Sequence, residues 1–315
     1  MKRLLGIALL AAGAAQAAPF VAGPYKHLEQ GRGNGHVIRA VDGTPYAQPG
    51  RAPLTWAFAT GECGEERWGD ESADAVAQAN VAAFAAAGVG YIVSTGGAEG
   101  VFTCATDAGM ERFVARYASP RLIGFDFDIE AGQTPEQVDS IVRRAQEAQR
   151  KRPGLRLSFT VPTLAAADGS RRSLTAVGEL VLAAIRRAGL TDYVLNLMVM
   201  DYGPPAPDTC VVAGARCDMG WSAQQAAVNV HERYGVPYAQ IELTPMLGVN
   251  DVAANEFTLA DARRVAQVAR ALGLAGVHFW SLDRDRPCAT PGGKASPVCS
   301  GVTDPAGAYG EALLR

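Results

Sequence analysis

Three acidic residues at alternate positions are the strongest chemical signal in the sequence. Asp126, Asp128 and Glu130 lie in the segment LIGFDFDIE, where they alternate with phenylalanine and isoleucine. Because side chains on a β-strand alternate between its two faces, we predict that the three carboxyl groups share one face. Carboxylates this close cannot all ionise cheaply, so at least one pKa should rise and protons should be shared. A carboxylic acid that keeps its proton near neutral pH suits general acid catalysis.

A salt-bridged or calcium-binding strand without catalysis is the alternative explanation. Calcium loops usually carry their acidic residues on a turn, with Gly and Asn nearby. This segment is instead rich in aromatic residues. Since clusters of carboxylates with perturbed pKa values are typical of functional sites, the sequence favours catalysis.

Short apolar segments alternate with amphipathic helical patterns along the chain. The predicted strands cover 36–41, 54–60, 91–97, 121–130, 155–163, 193–203, 240–247 and 276–282. Several are continuous apolar runs, as expected of parallel strands that are covered on both faces. This pattern predicts an α/β protein with a single (β/α)8 TIM barrel, and a doubly wound sheet is the alternative. Barrel enzymes carry catalytic groups at the carboxyl ends of the strands, and Glu130 ends the fourth predicted strand.

Two of the predicted helices carry clear signals at their N-termini. Thr134 precedes a proline, and Gln137 completes a capping box with it. Thr258 and Asp261 form a similar signature, and Gly273 is predicted to end that helix.

The first 17 residues are predicted to be a cleaved signal peptide. Lys2 and Arg3 precede an apolar segment, 4–14, that is too short to span a bilayer, and 15–17 match a cleavage site. An uncleaved anchor is the alternative. No linker or change of composition divides the remainder, so we expect one domain over 18–315. These signals predict a secreted or periplasmic protein.

The overall composition is that of an ordinary globular protein. The 315 residues are 48% hydrophobic and carry a formal net charge of −3. Near-neutral charge gives no sign of a nucleic-acid partner or of a membrane surface. Nothing in the sequence suggests a metal or organic cofactor, and we expect a monomer.

Six cysteines follow the predicted signal peptide. An even number in an exported chain predicts disulfides. Cys210 and Cys217, like Cys288 and Cys299, are close in sequence, which leaves Cys63 to pair with Cys104. A zinc site is the alternative, but the chain has no CxxC pair and only four histidines.

The acidic segment resembles the DGxDxDxE signature of glycoside hydrolase family 18, the chitinases and their relatives. Gly124 to Glu130 match the signature, whereas Ile123 stands where its first Asp would be. Ser94 to Gly97 are similar to the SxGG motif of the family. The segments AFATGECGEERWG and TPMLGVND resemble the bacterial secreted branch. The resemblance covers essentially the whole chain after the signal peptide.

Two further motifs concern the predicted sugar site. Met200-Asp201-Tyr202 resembles the M-x-Y-D motif, with Gly203 in place of its final Asp. A register shifted by two residues matches Met198 to Asp201 instead, so that Asp201 binds sugar and the Tyr is missing. We prefer the register with Tyr202. Trp280 falls where the family has the tryptophan at the floor of the −1 sugar site.

The resemblance implies substrate-assisted retaining catalysis, an exception to the two-carboxylate scheme. Glu130 would protonate the glycosidic oxygen while the acetamido group of the substrate attacks the anomeric carbon. Asp128 would stabilise the oxazolinium ion, Asp126 would share a proton with Asp128, and Tyr202 would donate to the acetyl oxygen. The predicted substrate-binding residues are Trp280, Asp201, Met200, Ser94, Gly96 and Trp68. For Ser94 and Gly96 a structural role is favoured, and Trp68 is equally compatible with sugar stacking and with packing of its own loop.

The function expected from this resemblance is hydrolysis of β-1,4 linkages in chitin or N-acetylglucosamine oligosaccharides. One alternative is an endo-β-N-acetylglucosaminidase that cuts N-glycan cores with the same acids. The other is a lectin-like barrel that binds chitin with little catalysis. Retention of both Asp128 and Glu130 speaks against the lectin, whereas Gly203 keeps it open.

Overall fold

The computed structural model describes residues 19–28, 36–98, 100–290, 292 and 294–315. Eight parallel strands form a closed barrel in which each strand pairs with the next and the last pairs with the first. The strands are β1 Val21–His27, β2 Leu54–Ala59, β3 Tyr91–Gly96, β4 Leu122–Asp128, β5 Arg156–Pro162, β6 Val194–Met198, β7 Ile241–Thr244 and β8 Gly276–Phe279. The predicted (β/α)8 barrel is confirmed. The predicted signal peptide, 1–17, lies outside the described residues.

Helices flank the barrel in the connections between strands. They are α1 Ala73–Ala87, α2 Asp107–Arg116, α3 Pro135–Lys151, α4 Ala176–Ala188, α5 Met219–Tyr234, α6 Leu259–Leu272 and α7 Ala308–Leu314. Both predicted capping boxes are present, at Thr134 with Gln137 and at Thr258 with Asp261. Gly273 ends α6 in the left-handed conformation. No helix of the described residues is long and apolar enough to cross a membrane.

The first strand was predicted in the wrong place. Segment 36–41 contributes only an isolated bridge at Arg39, whereas β1 is the earlier segment VAGPYKH. Gly and Pro are depleted in strands, so Gly23 and Pro24 hide this strand from a pattern based on apolar residues. The glycine is required there, because a Cβ at Gly23 would lie 2.0 Å from the carbonyl oxygen of Pro53.

Alternation along β4 turns its acidic residues into the barrel. Phe125 and Phe127 on the other face are buried, with the Phe125 ring 4.7 Å from that of Phe113 on α2 and the Phe127 ring 5.4 Å from that of Phe159 on β5. Burying two aromatic rings stabilises this orientation by several kcal/mol, at about 25 cal/mol per Å² of apolar surface. A shift of β4 by one residue would turn both rings into the barrel interior and the acidic side chains toward the surrounding helices.

The three predicted disulfides are all formed. Cys63–Cys104 joins the loops that follow β2 and β3, and Cys210–Cys217 lies in the connection between β6 and α5. Cys288–Cys299 closes a loop after β8. Each disulfide therefore lies in the connections at the carboxyl ends of the strands, where loops are longest.

Candidate active site

A cavity of about 720 Å³ opens at the carboxyl ends of the barrel strands. Residues from the ends of all eight strands line it. Six of the residues predicted from the sequence are among them: Gly96, Asp128, Glu130, Met200, Asp201 and Trp280. The site predicted by the acidic strand therefore coincides with the cavity.

Asp126 lies beneath the cavity as the hub of a set of hydroxyl groups. Its Oδ1 accepts hydrogen bonds from Ser158 Oγ at 2.6 Å and Thr160 Oγ1 at 2.7 Å. Its Oδ2 accepts from Ser94 Oγ at 2.6 Å and Tyr25 Oη at 3.0 Å. Burial raises the pKa of Asp126, and the four hydroxyl donors oppose that rise.

Asp128 and Glu130 stand above Asp126, at the cavity. Asp128 is buried, and its Oδ1 has no hydrogen-bond partner among the described residues. Its pKa lies well above the usual range because of burial first and then the charges of Glu130 and Asp126. Burial and, secondarily, the nearby Asp201 and Asp251 raise the pKa of Glu130 to about 7. Glu130 can therefore hold a proton near neutral pH and donate it into the cavity.

Two glycines allow β3 to approach Asp128 closely. A Cβ at Gly96 would lie 2.1 Å from the carbonyl oxygen of Asp128, and Gly97 N–H donates to that oxygen at 3.1 Å. Both glycines have positive φ. Gly96 lines the cavity with backbone only, and Ser94 lies below it as a hydrogen-bond donor to Asp126. The structural role favoured for Ser94 and Gly96 fits this geometry.

One wall of the cavity is aromatic. Trp280 follows β8, and its ring stacks on Phe58 with centroids 5.6 Å apart and an interplanar angle of 17°. The rings of His27 and Tyr25 lie 5.9 Å and 6.2 Å from Trp280. Sugar rings present C–H faces that pack well on such a surface.

Another part of the cavity lining combines carboxylates with the buried guanidinium of Arg284. Asp201 accepts a hydrogen bond from Val252 N–H at 2.7 Å, and burial raises the pKa of Asp201. Asp251 is exposed at the rim, and Arg284 is buried behind it. Burial lowers the pKa of Arg284 to about 10, so that its guanidinium remains charged near neutral pH.

Arg284 donates hydrogen bonds to main-chain oxygens of two loops. Its Nη2 donates to the carbonyl oxygens of Leu247 at 2.6 Å and Val249 at 2.5 Å, and its Nη1 donates to that of Ser296. Ser296 belongs to the loop closed by Cys288–Cys299, and 295–297 line the cavity. Arg284 thus holds this disulfide loop against the loop that follows β7.

A second group of charged residues lies inside the barrel, away from the cavity lining. Glu242 on β7 is buried, contacts the guanidinium of Arg156 and lies 3.2 Å from His278 Nε2. Burial alone would raise the pKa of Glu242, but the charge of Arg156 and the interactions with Arg156 and His278 lower it to about 2. His278 is a buried, hydrogen-bonded residue of the barrel interior.

The preferred register of the M-x-Y-D motif does not fit the structure. Met198, Met200 and Asp201 line the cavity, whereas Tyr202 is buried outside that lining and its Oη has no partner among the described residues. Strand β6 ends at Met198, and Asp201 adopts a left-handed φ of 51°. The chain therefore leaves the strand before Tyr202, and the register shifted by two residues places its acid at the cavity.

Trp68 does not line the cavity, so it is not placed to stack on a sugar there. It is 2% exposed, and its Nε1 donates to Tyr117 Oη at 2.8 Å. The neighbouring Gly69 and Asp70 line the cavity instead. Trp68 packs its own loop, the second of the two roles considered for it.

Several residues of the cavity escaped the sequence analysis. Tyr25 and His27 lie on the strand that was placed wrongly, and Asp251 follows a segment, TPMLGVND, that was noted only for its resemblance. Arg284 lies four residues after Trp280, and only the folded loops show what it contacts. A correct first strand would have identified the aromatic wall.

No family model matches the chain. It is 30% identical over 237 residues to a probable bifunctional chitinase/lysozyme of Escherichia coli (strain K12), which covers 69% of this chain and 25% of that protein. It is 30% identical over 223 residues to endochitinase 11 of Metarhizium anisopliae, covering 64% of this chain and 41% of that protein. The chain therefore spans less than half the length of each of these relatives.

A solved structure is similar over nearly the whole length of both chains. It is active domain 2 of a chitinase from Pyrococcus furiosus, which is 25% identical, superposes with a TM-score of 0.72, and covers 94% of this chain and 95% of that one. Catalytic-site mutants of that domain have also been solved in complex with chito-oligosaccharides.

The barrel and its acidic cavity define the class of protein. A closed (β/α)8 barrel with a protonatable glutamic acid above two buried aspartic acids has the architecture of a glycoside hydrolase. The relatives and the structural neighbour are chitinases. Together with the DxDxE motif, they support assignment of the chain to the chitinase-like proteins of glycoside hydrolase family 18.

Proposed function

We propose that the chain hydrolyses β-1,4 linkages between N-acetylglucosamine units in chitin or chitooligosaccharides. The observation that carries this proposal is Glu130, whose pKa of about 7 suits a general acid and which lines the same cavity as Asp128 and Trp280. The names of the relatives support chitin as the substrate class. The oligosaccharide complexes of the Pyrococcus domain support a similar ligand in this cavity.

In the first step, Glu130 donates its proton to the glycosidic oxygen as the bond to the leaving sugar breaks. The carbonyl oxygen of the substrate's own acetamido group attacks the anomeric carbon and forms an oxazolinium ion. Asp128 accepts a hydrogen bond from the acetamido N–H, and the pair of Asp128 and Asp126, which shares one proton and carries one negative charge, stabilises the positive charge. The buried position of Asp128 strengthens this interaction, because the effective dielectric constant is lower inside the protein.

In the second step, Glu130 acts as a base. Its carboxylate removes a proton from water, and the water oxygen attacks the anomeric carbon and opens the oxazolinium ring. The acetamido group is regenerated, and Glu130 is again protonated. Two displacements at the same carbon retain the β configuration.

The setting of the other cavity carboxylates supports an acetamido nucleophile. A protein nucleophile would need a carboxylate about 5–5.5 Å from the acid, across the sugar. Asp201 Oδ1 is occupied by Val252 N–H, and Asp251 is at the exposed rim. In this proposal Asp201 contacts the sugar, and the apolar wall of Met198 and Met200 packs on its acetyl group.

Proton NMR of the fresh hydrolysate tests the mechanism. We expect the β anomer to appear first, fully deacetylated chitosan to resist cleavage, and a thiazoline analogue of the oxazolinium ion to inhibit. Appearance of the α anomer first, or cleavage of chitosan as fast as chitin, would contradict substrate assistance.

Mass spectrometry of two parallel digests tests the substrate. Chitin oligosaccharides should be shortened, while a high-mannose glycoprotein should keep its glycans. Release of glycans with intact oligosaccharides would instead identify an endo-β-N-acetylglucosaminidase.

We further propose that the protein is exported, that 1–17 is removed, and that 18–315 is the catalytic domain. Three disulfides support an oxidising compartment. N-terminal sequencing of the protein from the periplasm and the medium should begin at residue 18. A mature protein that retains Met1 would contradict the proposal.

A further inference from the structure

The buried side-chain amide of Asn196, on β6, contacts two of the hydroxyl groups around Asp126. Asn196 is fully buried, and its Nδ2 donates to Tyr25 Oη at 2.9 Å and to Thr160 Oγ1 at 2.8 Å. Its Oδ1 accepts a hydrogen bond from Thr244 Oγ1 at 2.8 Å. Asn196 is not among the described residues that line the cavity. Any effect it has on the reaction must pass through the groups it contacts.

The number of available protons determines which atom donates in each hydrogen bond of this network. Tyr25 and Thr160 have one hydroxyl proton each, and both oxygens lie within hydrogen-bond distance of Asp126. An amide nitrogen can only donate, so Asn196 Nδ2 occupies a lone pair on each hydroxyl oxygen. Tyr25 Oη and Thr160 Oγ1 also lie 3.2 Å apart and compete for one of these protons. That contact is longer than the contacts of the two hydroxyls to Asp126, and a carboxylate is the stronger acceptor, so both hydroxyl protons are directed to Asp126. The proton of Thr244 meets Asn196 Oδ1 and fixes which way the amide faces.

The consequence is that Asp126 is surrounded by donors. With Ser94 and Ser158, it accepts four hydroxyl hydrogen bonds, which use the four lone-pair sites of a carboxylate. A proton on Asp126 would have to displace one of these donors, and Asn196 opposes the turning of two of them. Asp128 differs, because its buried Oδ1 has no partner among the described residues.

We propose that Asn196 is a positioning residue that directs the hydroxyls of Tyr25 and Thr160 toward Asp126. Asp126 then stays ionised, and the proton shared by the two aspartates resides on Asp128.

The other charged groups near this network do not supply the same effect. Asp128 and Glu130 approach from β4 itself, and both are acids. The charge of Glu242 raises the pKa of Tyr25, which also contacts Asp126. The ring of His278, on β8, lies 5.9 Å from that of Tyr25. Arg156 on β5 contacts Glu242 and offsets its charge. The donors that reach Asp126 are therefore neutral hydroxyls, and their orientation decides its protonation.

The direct test is a ¹³C NMR titration of aspartate carboxyl carbons in wild type and Asn196→Ala. In wild type, Asp126 should remain ionised at a pH at which Asp128 is protonated. In Asn196→Ala, the midpoint for Asp126 should rise by about one pH unit, since the hydroxyls of Tyr25 and Thr160 can then turn their protons away from the charged carboxylate. Asn229→Ala is the matched control, because Asn229 is equally buried but bonds to Ala166 O on the outside of the barrel.

Kinetics give a second measurement, which rests on the proposed chitin hydrolysis. The acidic limb of the kcat pH profile should move to higher pH in Asn196→Ala, with KM changed less than about twofold. Thr244→Val keeps the side-chain shape but removes the hydrogen bond to Asn196 Oδ1. It should move the acidic limb in the same direction by a smaller amount. Asn229→Ala should leave it in place.

The outcomes separate this inference from the proposed function. Wild-type protein that cleaves no N-acetylglucosamine oligosaccharide would refute the function, while the NMR titration would still decide the role of Asn196. An unchanged Asp126 midpoint in Asn196→Ala, or a wild-type Asp126 that is protonated before Asp128, overturns the inference. If Asn196→Ala does not fold, Thr244→Val decides by the same titration.

Discussion

The barrel interior contains buried carboxyl groups at two levels, and the two levels behave in opposite ways. Near the cavity, Asp126 meets only neutral hydroxyl donors, and burial raises its pKa. Away from the cavity, Glu242 contacts Arg156 and His278, which lower its pKa to about 2 despite burial. The degree of burial is the same, so the kind of partner makes the difference. The neutral hydroxyl donors offset only part of the rise that burial causes at Asp126, whereas Arg156 and His278 outweigh burial at Glu242.

The largest expected effect comes from removing the acid at the cavity. Glu130→Gln keeps the shape of the side chain but cannot donate a proton with the needed acidity. We expect hydrolysis to fall by about 10²–10⁴-fold or more, with oligosaccharide binding and melting temperature close to wild type. Initial rates, calorimetric titration and thermal unfolding measure the three quantities. Wild-type turnover in the variant would remove Glu130 from the mechanism.

The same substitution at the other level should affect stability instead. Glu242→Gln leaves the buried guanidinium of Arg156 without its carboxylate partner. We expect the free energy of unfolding to fall by about 3–5 kcal/mol, as when one partner of a buried ion pair is removed. Folded variant should retain kcat at pH 6. A large loss of kcat with normal stability would mean that the two levels are not separate.

The pH dependence of stability sharpens this test. The pKa of Glu242 is lowered from 4.5 to about 2, so its ionised form stabilises the fold above the unfolded pKa. This contribution is lost as the pH falls from about 4.5 through about 2. The difference between wild type and Glu242→Gln in denaturant unfolding should therefore shrink across that window. A difference that stays constant would contradict the lowered pKa.

A smaller effect, a shift of the pH profile, is expected from Asp201→Asn. After burial, the charge of Asp201 is the next cause of the raised pKa of Glu130, so its removal should lower that pKa. Less Glu130 is then protonated at neutral pH, and the basic limb of kcat/KM should move down by about half a pH unit. Asn tolerates the left-handed φ at this position and can still accept from Val252 N–H. Movement of the limb to higher pH would contradict this prediction.

Asp251→Asn is the matched comparison for that variant. Asp251 also raises the pKa of Glu130, but it ranks after Asp201 and is exposed at the rim. Water and salt screen an exposed charge more strongly, so we expect a smaller shift in the same direction. Raising the ionic strength should reduce the shift of Asp251→Asn further.

Features set by local periodicity could be predicted from the sequence. The alternation of acids and aromatics in 122–130 gave the inward face of β4, because a strand has a side-chain period of two. The capping boxes at Thr134 and Thr258 and two of the disulfides were likewise recognised from residues close together in sequence, and the remaining cysteines, Cys63 and Cys104, then paired by elimination. These features depend on geometry within a few residues or on pairing by elimination.

Features set by contacts between distant segments could not. Gly23 and Pro24 look like a turn until Pro53 and β8 are in place around them. The departure of the chain from β6 before Tyr202 depends on Asp201, whose left-handed backbone is held by Asn250 and Val252 from the next loop. Asn196 has no local signal at all, since it acquires its role only when five strands close around Asp126.

Arg284 has a consequence for how this molecule can diversify. Among the described residues, Arg284 donates hydrogen bonds to the main-chain oxygens of Leu247, Val249 and Ser296. Every residue has a main-chain oxygen, so these hydrogen bonds of Arg284 do not depend on which side chains the two loops carry. The rim at 295–297 can therefore exchange side chains while its backbone stays in position. Under the proposed function, changes in sugar preference can arise there without disturbing the acids on β4.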